Sequence, residues 1–260
     1  MDSQFAEFNI CVMENHKNKT VIIMPAYNAA NTLKDTMDAI PDACYDEIIL
    51  VDDCSQDDTV ALARSLGIKV FQHETNKGYG GNQKLCYQEA LNAGADIIVM
   101  LHPDNQYDAT LIPFFTGFID HGVCDFMLGA RIRTRKEALQ GGMPFYKYFS
   151  NRILTLLMNV VLGQNLAEGH SGFRVYHRKV LEKIPFEKNS NDFSFDAELI
   201  AQAVYHKFKL GDAPMPVRYF AEASSISFKD SSIYGLKILK TLSKYVLTKL
   251  KIKKSKLFDT

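Results

Sequence analysis

The stretch that decides the fold is Val99-Met100-Leu101-His102-Pro103-Asp104-Asn105-Gln106-Tyr107-Asp108. Ile97 to Leu101 is an apolar run of strand length, and it stops abruptly in polar residues. In open α/β sheets ligands collect beyond the carboxyl ends of the strands, so this strand end is a candidate reaction centre. His102, Asp104 and Gln106 fall at alternate positions, which face one side of an extended segment. Imidazole, carboxylate and amide ligands can hold Mg2+ or Mn2+ when substrate phosphates complete the shell. A plain strand-to-turn junction capped by Asp and Asn is the simpler alternative.

Upstream, the same pattern repeats. Thr20 to Met24, Asp46 to Val51 and Ile68 to Gln72 read as strands, each followed by turn residues and a helical stretch. Asn28 or Asn31 is expected to cap a helix reaching about Ile40, and a second helix runs from Thr59 to Leu66. Asn76-Lys77-Gly78-Tyr79-Gly80-Gly81-Asn82 reads as a glycine-rich loop before a third helix that starts near Asn82. Strand–helix alternation with short connections implies an α/β fold, a mostly parallel sheet flanked by helices. Polar clusters at 25–28, 52–58 and 102–108 then share one sheet edge. A dinucleotide fold fits poorly, because no G-x-G-x-x-G follows the first strand and the glycine run comes after the third.

Downstream, Asp125 to Ala130 reads as a strand running into Arg131, Arg133 and Arg135. Phe145 to Leu162 is a long amphipathic helix with heavy apolar content, and Glu168 to Tyr176 is a polar loop entering a short strand. Asp196 to Lys207 is a helix, and Pro214 to Phe220 is expected as an edge strand because of Pro216. Ile233, Leu236, Leu239, Leu242, Val246, Leu247 and Leu250 recur at helical spacing, in a segment with eight lysines and no acid between Asp230 and Asp259. Such a lysine-rich amphipathic helix reads as a membrane-surface element over 231–257. The organisation expected is a polar leader (1–19), one α/β domain (20–228) and a basic amphipathic tail (229–260).

Composition narrows the function classes. With 47% hydrophobic and 23% charged residues, disorder is excluded for the bulk of the chain. The formal net charge is zero, so no nucleic-acid partner is expected. Cys11, Cys44, Cys54, Cys86 and Cys124 show no C-x-x-C pair, which suits free thiols in a reducing compartment. No uncharged apolar stretch reaches the roughly 18 residues of a spanning helix. A cytoplasmic protein, peripheral at the inner face of the cytoplasmic membrane, is the expectation.

Six segments in order resemble the family 2 glycosyltransferases, which have the GT-A (Rossmann-like) fold. They are Met24 to Asn28, Ile48 to Thr59, Asn76 to Gly80, His102 to Gln106, Gly129 to Arg131 and Ser171 to Arg174. Within that family the chain looks most like the polyprenyl- and dolichol-phosphate mannosyl- or glucosyltransferases. The resemblance implies an inverting, metal-dependent hexosyltransferase using a UDP- or GDP-sugar donor, with Mg2+ or Mn2+ as cofactor. Pro25, Ala26, Tyr27, Asn28, Asp52 and Asp53 would hold the nucleoside, and Lys77 and Gly78 would lie near the base or diphosphate. Asp104 and Gln106 would bind the metal, with His102 standing where the family carries an acid. Arg131 and Arg174 would meet a polyprenyl-phosphate acceptor, helped by Arg133, Arg135 and Arg152 nearby in sequence. A guanidinium fork suits phosphate, and a phosphate acceptor needs little base assistance. An alternative is transfer to a glycan hydroxyl with Asp196 or Glu198 as base. Another is a nucleotide-sugar-binding protein without catalysis, suggested by His102. Self-association into a homo-oligomer stays open.

Overall fold

In the computed structural model, described for residues 18–132, 134–140, 143–218 and 228–259, one sheet organises the chain. Its strands are Thr20–Ala26 (β1), Glu47–Asp52 (β2), Lys69–Gln72 (β3), Ile97–Met100 (β4), Phe126–Ala130 (β5), Arg174–His177 (β6) and Leu210–Pro214 (β7). The order is β3-β2-β1-β4-β6-β5-β7, seven strands among the described residues. β1 and β4 are buried on both faces, so their sequences are continuous β-branched and aliphatic runs without alternation. Every pairing is parallel except those of β6, which runs against both β4 and β5. The fold is therefore the expected α/β architecture with a mostly parallel sheet.

The helices are Leu33–Asp38 (α1), Thr59–Ser65 (α2), Tyr79–Asn92 (α3), Ile112–Asp120 (α4), Arg135–Gln140 (α5), Phe145–Leu162 (α6), Arg178–Lys183 (α7), Phe195–Tyr205 (α8) and Phe228–Lys249 (α9). Successive strand residues face opposite sides, and two apolar layers result. Val21, Ile23, Ile49 and Val51 join α3, α8 and α9 on one side. Ile22, Met24 and Leu50 join α1 and α4 on the other.

The structure corrects four local expectations. α1 is short and neither Asn28 nor Asn31 caps it. Thr32 stands at the cap position, and its hydroxyl instead donates to the Pro103 carbonyl at 2.6 Å. The glycine run is not a loop. α3 starts at Tyr79, so Gly80 and Gly81 form its first turn. β7 lies at 210–214 rather than 214–220, and the sheet bonding ends where Pro216 has no N–H to give. Only an isolated bridge, Val217 to Tyr107, continues beyond it, and residues 219–220 lie outside the described residues. Finally, the 229–260 segment joins the main apolar layer. Ile238, Leu242, Tyr245, Leu257 and Phe258 are buried there, and the Gln202 amide donates to the Leu257 carbonyl at 2.7 Å. The leader, apart from residues 18 and 19, lies outside the described residues, as do Arg133 and the Gly141-Gly142 breaker.

Gly80 explains the glycine run. A Cβ there would collide with the Ser190 carbonyl oxygen, and the Gly80 N–H donates to the Asn191 carbonyl at 2.8 Å. Backbone meets backbone, so neither side can yield cheaply. Gly80→Ala should lower stability by about 1–3 kcal/mol, as overpacking does. Gly117→Ala, inside α4 with nothing within 4 Å of the added Cβ, should raise stability by roughly 0.5–1 kcal/mol. Urea unfolding of both variants checks the pair; equal effects would remove this account of Gly80.

Candidate active site

The carboxyl ends of β1, β2 and β4 share one edge because these strands are parallel. β6 is reversed, so its beginning reaches that same edge, with Arg174 opposite Met100. β5 ends there too, delivering Arg131. The switch in strand order between β1 and β4 opens the crevice where ligands of such sheets sit. Three of its turns contain a non-glycine residue with left-handed backbone: Asn28 (φ 51°), Cys54 (φ 68°) and Asn105 (φ 52°). Strained backbone of this kind concentrates at functional sites.

The β1 and β2 ends are laced together. The Asn28 N–H donates to Ser55 Oγ, and the Gln56 N–H donates to Asn28 Oδ1, both at 2.8 Å. Pro25 and Ala26 end β1, and the Ala26 carbonyl accepts from the Asp53 N–H at 2.8 Å. Tyr27 stands exposed beside them, a flat surface open to a base. Asp52 is buried; Oδ2 accepts from the Ser55 N–H at 3.0 Å while Oδ1 has no partner. Asp53 holds the next loop: Oδ1 accepts from the Lys77 N–H at 2.6 Å and Oδ2 from the Gly78 N–H at 3.0 Å. Its direct role toward a nucleoside is thus reduced to shaping the turn that carries Lys77, whose ammonium is exposed.

At the centre, Asp104 Oδ1 accepts from the Gln106 N–H at 3.1 Å, which leaves Oδ2 for a ligand. The loop is pinned to α1, since the Asn105 N–H donates to Thr36 Oγ1 at 3.0 Å. His102 stacks on Tyr79 with ring centroids 5.6 Å apart, and its Nε2 lies 3.4 Å from the Tyr79 hydroxyl. Gly172 backs the ring so closely that a Cβ there would come within 2.7 Å of it. Burial, the largest influence, holds the imidazole below its ordinary pKa, so it is neutral. With Nε2 facing Tyr79, only Nδ1 remains for a metal. Among the described residues no three His, Cys, Asp or Glu side chains gather as a metal cluster. The donor set of Asp104 and Gln106 still fits a hard divalent ion that brings substrate phosphate oxygens with it.

The acceptor side differs from expectation. Arg174 is fully buried, donates from Nε to the Ser171 carbonyl at 2.9 Å, and pairs with Asp196 at 3.3 Å. It cannot meet a phosphate from there; it orients Asp196. Asp196 also accepts from the Tyr79 hydroxyl at 2.7 Å. Glu198 is corrected as a base candidate, because both its oxygens accept from Ser190, at 2.6 Å from N–H and 3.1 Å from Oγ. Arg131 keeps 17% of its side chain exposed while its guanidinium pairs with the buried Glu168 and donates to the His170 carbonyl at 3.0 Å. Arg152 donates to the Ala167 carbonyl at 2.8 Å, Arg135 is exposed on α5, and Arg133 lies outside the described residues.

Tyr79, Glu168 and Tyr234 were not legible as site residues. Tyr79 was hidden inside the glycine run, and only the pairing of α3 with the 190–191 backbone aims it at Asp196. Glu168 opens the polar loop that ends at Arg174, but its partner lies across the sheet. Tyr234 comes from α9 and bonds His170 Nδ1 at 2.8 Å, so the last helix supports the loop that holds Arg131. Burial pushes the His170 imidazole down to about 4, which keeps that contact uncharged.

The family model of glycosyl transferase family 2 matches residues 21–185. A UDP-N-acetylglucosamine–dolichyl-phosphate N-acetylglucosaminyltransferase of Methanococcus voltae is 25% identical, covering 84% of this chain and 95% of the relative. A polyprenol monophosphomannose synthase of Mycolicibacterium smegmatis is also 25% identical, with 76% of each chain covered. Among solved structures, glucosyl-3-phosphoglycerate synthase of Mycobacterium tuberculosis superposes with a TM-score of 0.67 at 18% identity, over 92% of this chain and 83% of that one. The same enzyme has been crystallised with Mn2+ and UDP, with a TM-score of 0.64 to this chain.

Proposed function

Because the chain belongs to glycosyl transferase family 2, we propose that it moves one hexose from a UDP- or GDP-sugar to a polyprenyl phosphate, with inversion at the anomeric carbon. The carrying observation is the commitment of the carboxylates on the acceptor side. Glu198 is bonded to Ser190, Glu168 to Arg131, and Asp196 to Arg174 and Tyr79. A phosphate acceptor is already anionic and needs no base, whereas a hydroxyl does. The names of the two relatives above, which specify dolichyl-phosphate and polyprenol, support the same acceptor class.

In this reading the Pro25–Asn28 segment and Asp52 wall the nucleoside, Tyr27 offers its ring to the base, and Lys77 and Gly78 flank the diphosphate. Asp104 and Gln106 would hold Mg2+ or Mn2+ there; when bound, such an ion neutralises charge on the departing nucleoside diphosphate. Arg131 places the acceptor phosphate so that its oxygen attacks the anomeric carbon as the bond to the diphosphate breaks. A single displacement of this kind inverts configuration. His102 and Tyr79 form the wall that keeps Asp196 and the sugar pocket in place, so catalysis rests on positioning and preorganised charge. The protein works at the inner face of the cytoplasmic membrane, with 231–257 as a membrane contact; no described helix is long and apolar enough to cross it.

A second reading rests on Asp196 Oδ1, which is buried and held by the ion pair to Arg174 at 3.3 Å without a hydrogen bond. It could take a proton from a glycan hydroxyl. Labelled UDP- and GDP-sugars, offered with Mg2+ or Mn2+ to extracted polyprenyl phosphate, separate the two. Acid-labile, organic-soluble label is expected. Transfer to soluble glycans alone would instead favour Asp196 as base.

A further inference from the structure

α6 reads from sequence as a long amphipathic helix with heavy apolar content, and only Thr155, Met158 and Leu162 are buried on it. On the opposite side Phe145, Phe149, Ile153, Leu156 and Val160 follow one another at helical spacing and stand in solvent, Leu156 at 62% and Val160 at 72% exposure. α9 packs against α6 where Gly235 meets Leu154. It also leaves an apolar row exposed, formed by Leu236, Leu239, Val246 and Leu250. Two adjoining helices with bare apolar rows exceed what a monomer ordinarily shows to water.

The charge carried with these rows is predominantly positive, with Asp192 taken up by Lys237. α6 carries Lys147 and Arg152 and no acid, and residues 231–258 carry eight lysines and no acid. Lys240 and Lys249 are exposed on α9, as are Lys251, Lys253, Lys254 and Lys256 beyond it. A second copy docked through the same face would bring these rows against their own equivalents, like charge on like. An anionic lipid surface instead accepts the apolar side chains and neutralises the cations together.

We propose that α6 and α9 form one bilayer-docking face, in which α6 supplies the deeper apolar contact and the lysines of 240–256 lie at the headgroups. The face adjoins the candidate site. α6 begins downstream of β5, whose end carries Arg131, and Lys147 in its first turn is near enough to feel the Arg131 charge. Arg152 ties α6 to the loop of Glu168 through the Ala167 carbonyl. A lipid phosphate could thus reach Arg131 while its hydrocarbon stays in the membrane. This deepens the proposed function and rests on it for the identity of the acceptor, but not for the docking itself.

The chain has no tryptophan, so Phe149→Trp adds a single reporter. On phosphatidylglycerol–phosphatidylcholine vesicles its emission should shift to the blue and be quenched by brominated acyl chains. Val123→Trp, exposed in the turn before β5 at the opposite sheet edge, should do neither. The Phe149→Glu/Leu156→Glu double variant should lose vesicle co-sedimentation by about tenfold or more, with an unchanged thermal transition. Unshifted emission from the Phe149→Trp variant, while that protein sediments with vesicles, would overturn the role of α6. So would undiminished sedimentation of the double variant, or a dimer that becomes monomeric in it without any vesicle affinity in the parent. If vesicles bind as expected but no label reaches polyprenyl phosphate, the acceptor reading fails and the docking face stands. If label transfers in detergent but vesicles never bind, the reverse holds.

Discussion

Asp104→Ala is expected to reduce turnover by on the order of 10³-fold, the scale of removing a principal charge-stabilising group. The argument starts from the donor inventory. Asp104 sits between His102 and Gln106 with Oδ2 left over, because Oδ1 alone is used by the Gln106 N–H, while Asp108 farther along the loop holds Thr110. His102 turns one nitrogen to Tyr79, and Gln106 carries no charge. Neither His102 nor Gln106 can therefore replace its charge. Asp104→Asn separates charge from loop structure, since the amide oxygen still accepts from Gln106. Both variants should fall together in kcat, and Mn2+ bound in the presence of UDP, followed by electron paramagnetic resonance, should fall with them. UDP affinity without metal should change little. An Asp104→Asn enzyme with full turnover and full Mn2+ binding would remove the assignment of this loop as the reaction centre.

Arg131→Met should cost about 3–5 kcal/mol at neutral pH, the usual consequence of stripping a buried acid of its partner. Glu168 is fully buried and receives from Arg131 the side-chain pair and the backbone N–H at 2.8 Å. Burial alone drives its pKa upward, but the Arg131 charge and hydrogen bonds outweigh it and the net shift is downward. In the parent, the Glu168 contribution to stability is thus present above the unfolded value near 4.3 and is lost as pH falls through the lower folded value. In the variant the sign reverses. Burial now dominates, the folded pKa lies above the unfolded one, and the deficit is largest at high pH and shrinks as acid protonates the carboxyl. Unfolding midpoints of parent and variant between pH 5 and 8 should converge toward the acid end. A pH-independent gap would mean that lost packing, not the stranded carboxylate, carries the effect. Glu168→Gln in the variant background should recover part of the loss at pH 8.

Where pattern and structure agree, the cause is local. Ile97 to Met100 has no polar residue to face water, so it could only be an interior strand, and the polar residues after it could only be a rim. The candidate site centred on 102–106 is proposed from that one transition. The misses came from groups whose partners are distant in sequence. Gly80 looked like loop chemistry because the Ser190 carbonyl that demands it is remote. Arg174 looked like a phosphate ligand, since nothing in Ser171 to Arg174 announces that Asp196 will claim the guanidinium. The lysine-rich segment reads as amphipathic, but its apolar row is divided: Leu242 joins Ile238 and Tyr245 in closing the core, while Leu236, Leu239, Val246 and Leu250 stay exposed. α6 is a parallel case. Its amphipathic pattern is legible, but not that Thr155, Met158 and Leu162 are the buried side and the bulkier apolar residues the exposed one.

The C-terminal seam has a consequence for the birth of the molecule. Phe258 packs on Tyr205 with ring centroids 4.9 Å apart, and Lys188 donates to the Asp259 carbonyl at 2.5 Å. Those partners belong to a layer that begins at β1. Until residues 234–259 are in place that layer lacks its final wall, and Tyr234 has not reached His170. The layer that begins at β1 is therefore closed only once residues 234–258 have been made. The helix that finishes the interior also presents the lysines, so a nascent chain acquires its solid core and its greasy, basic exterior in the same step.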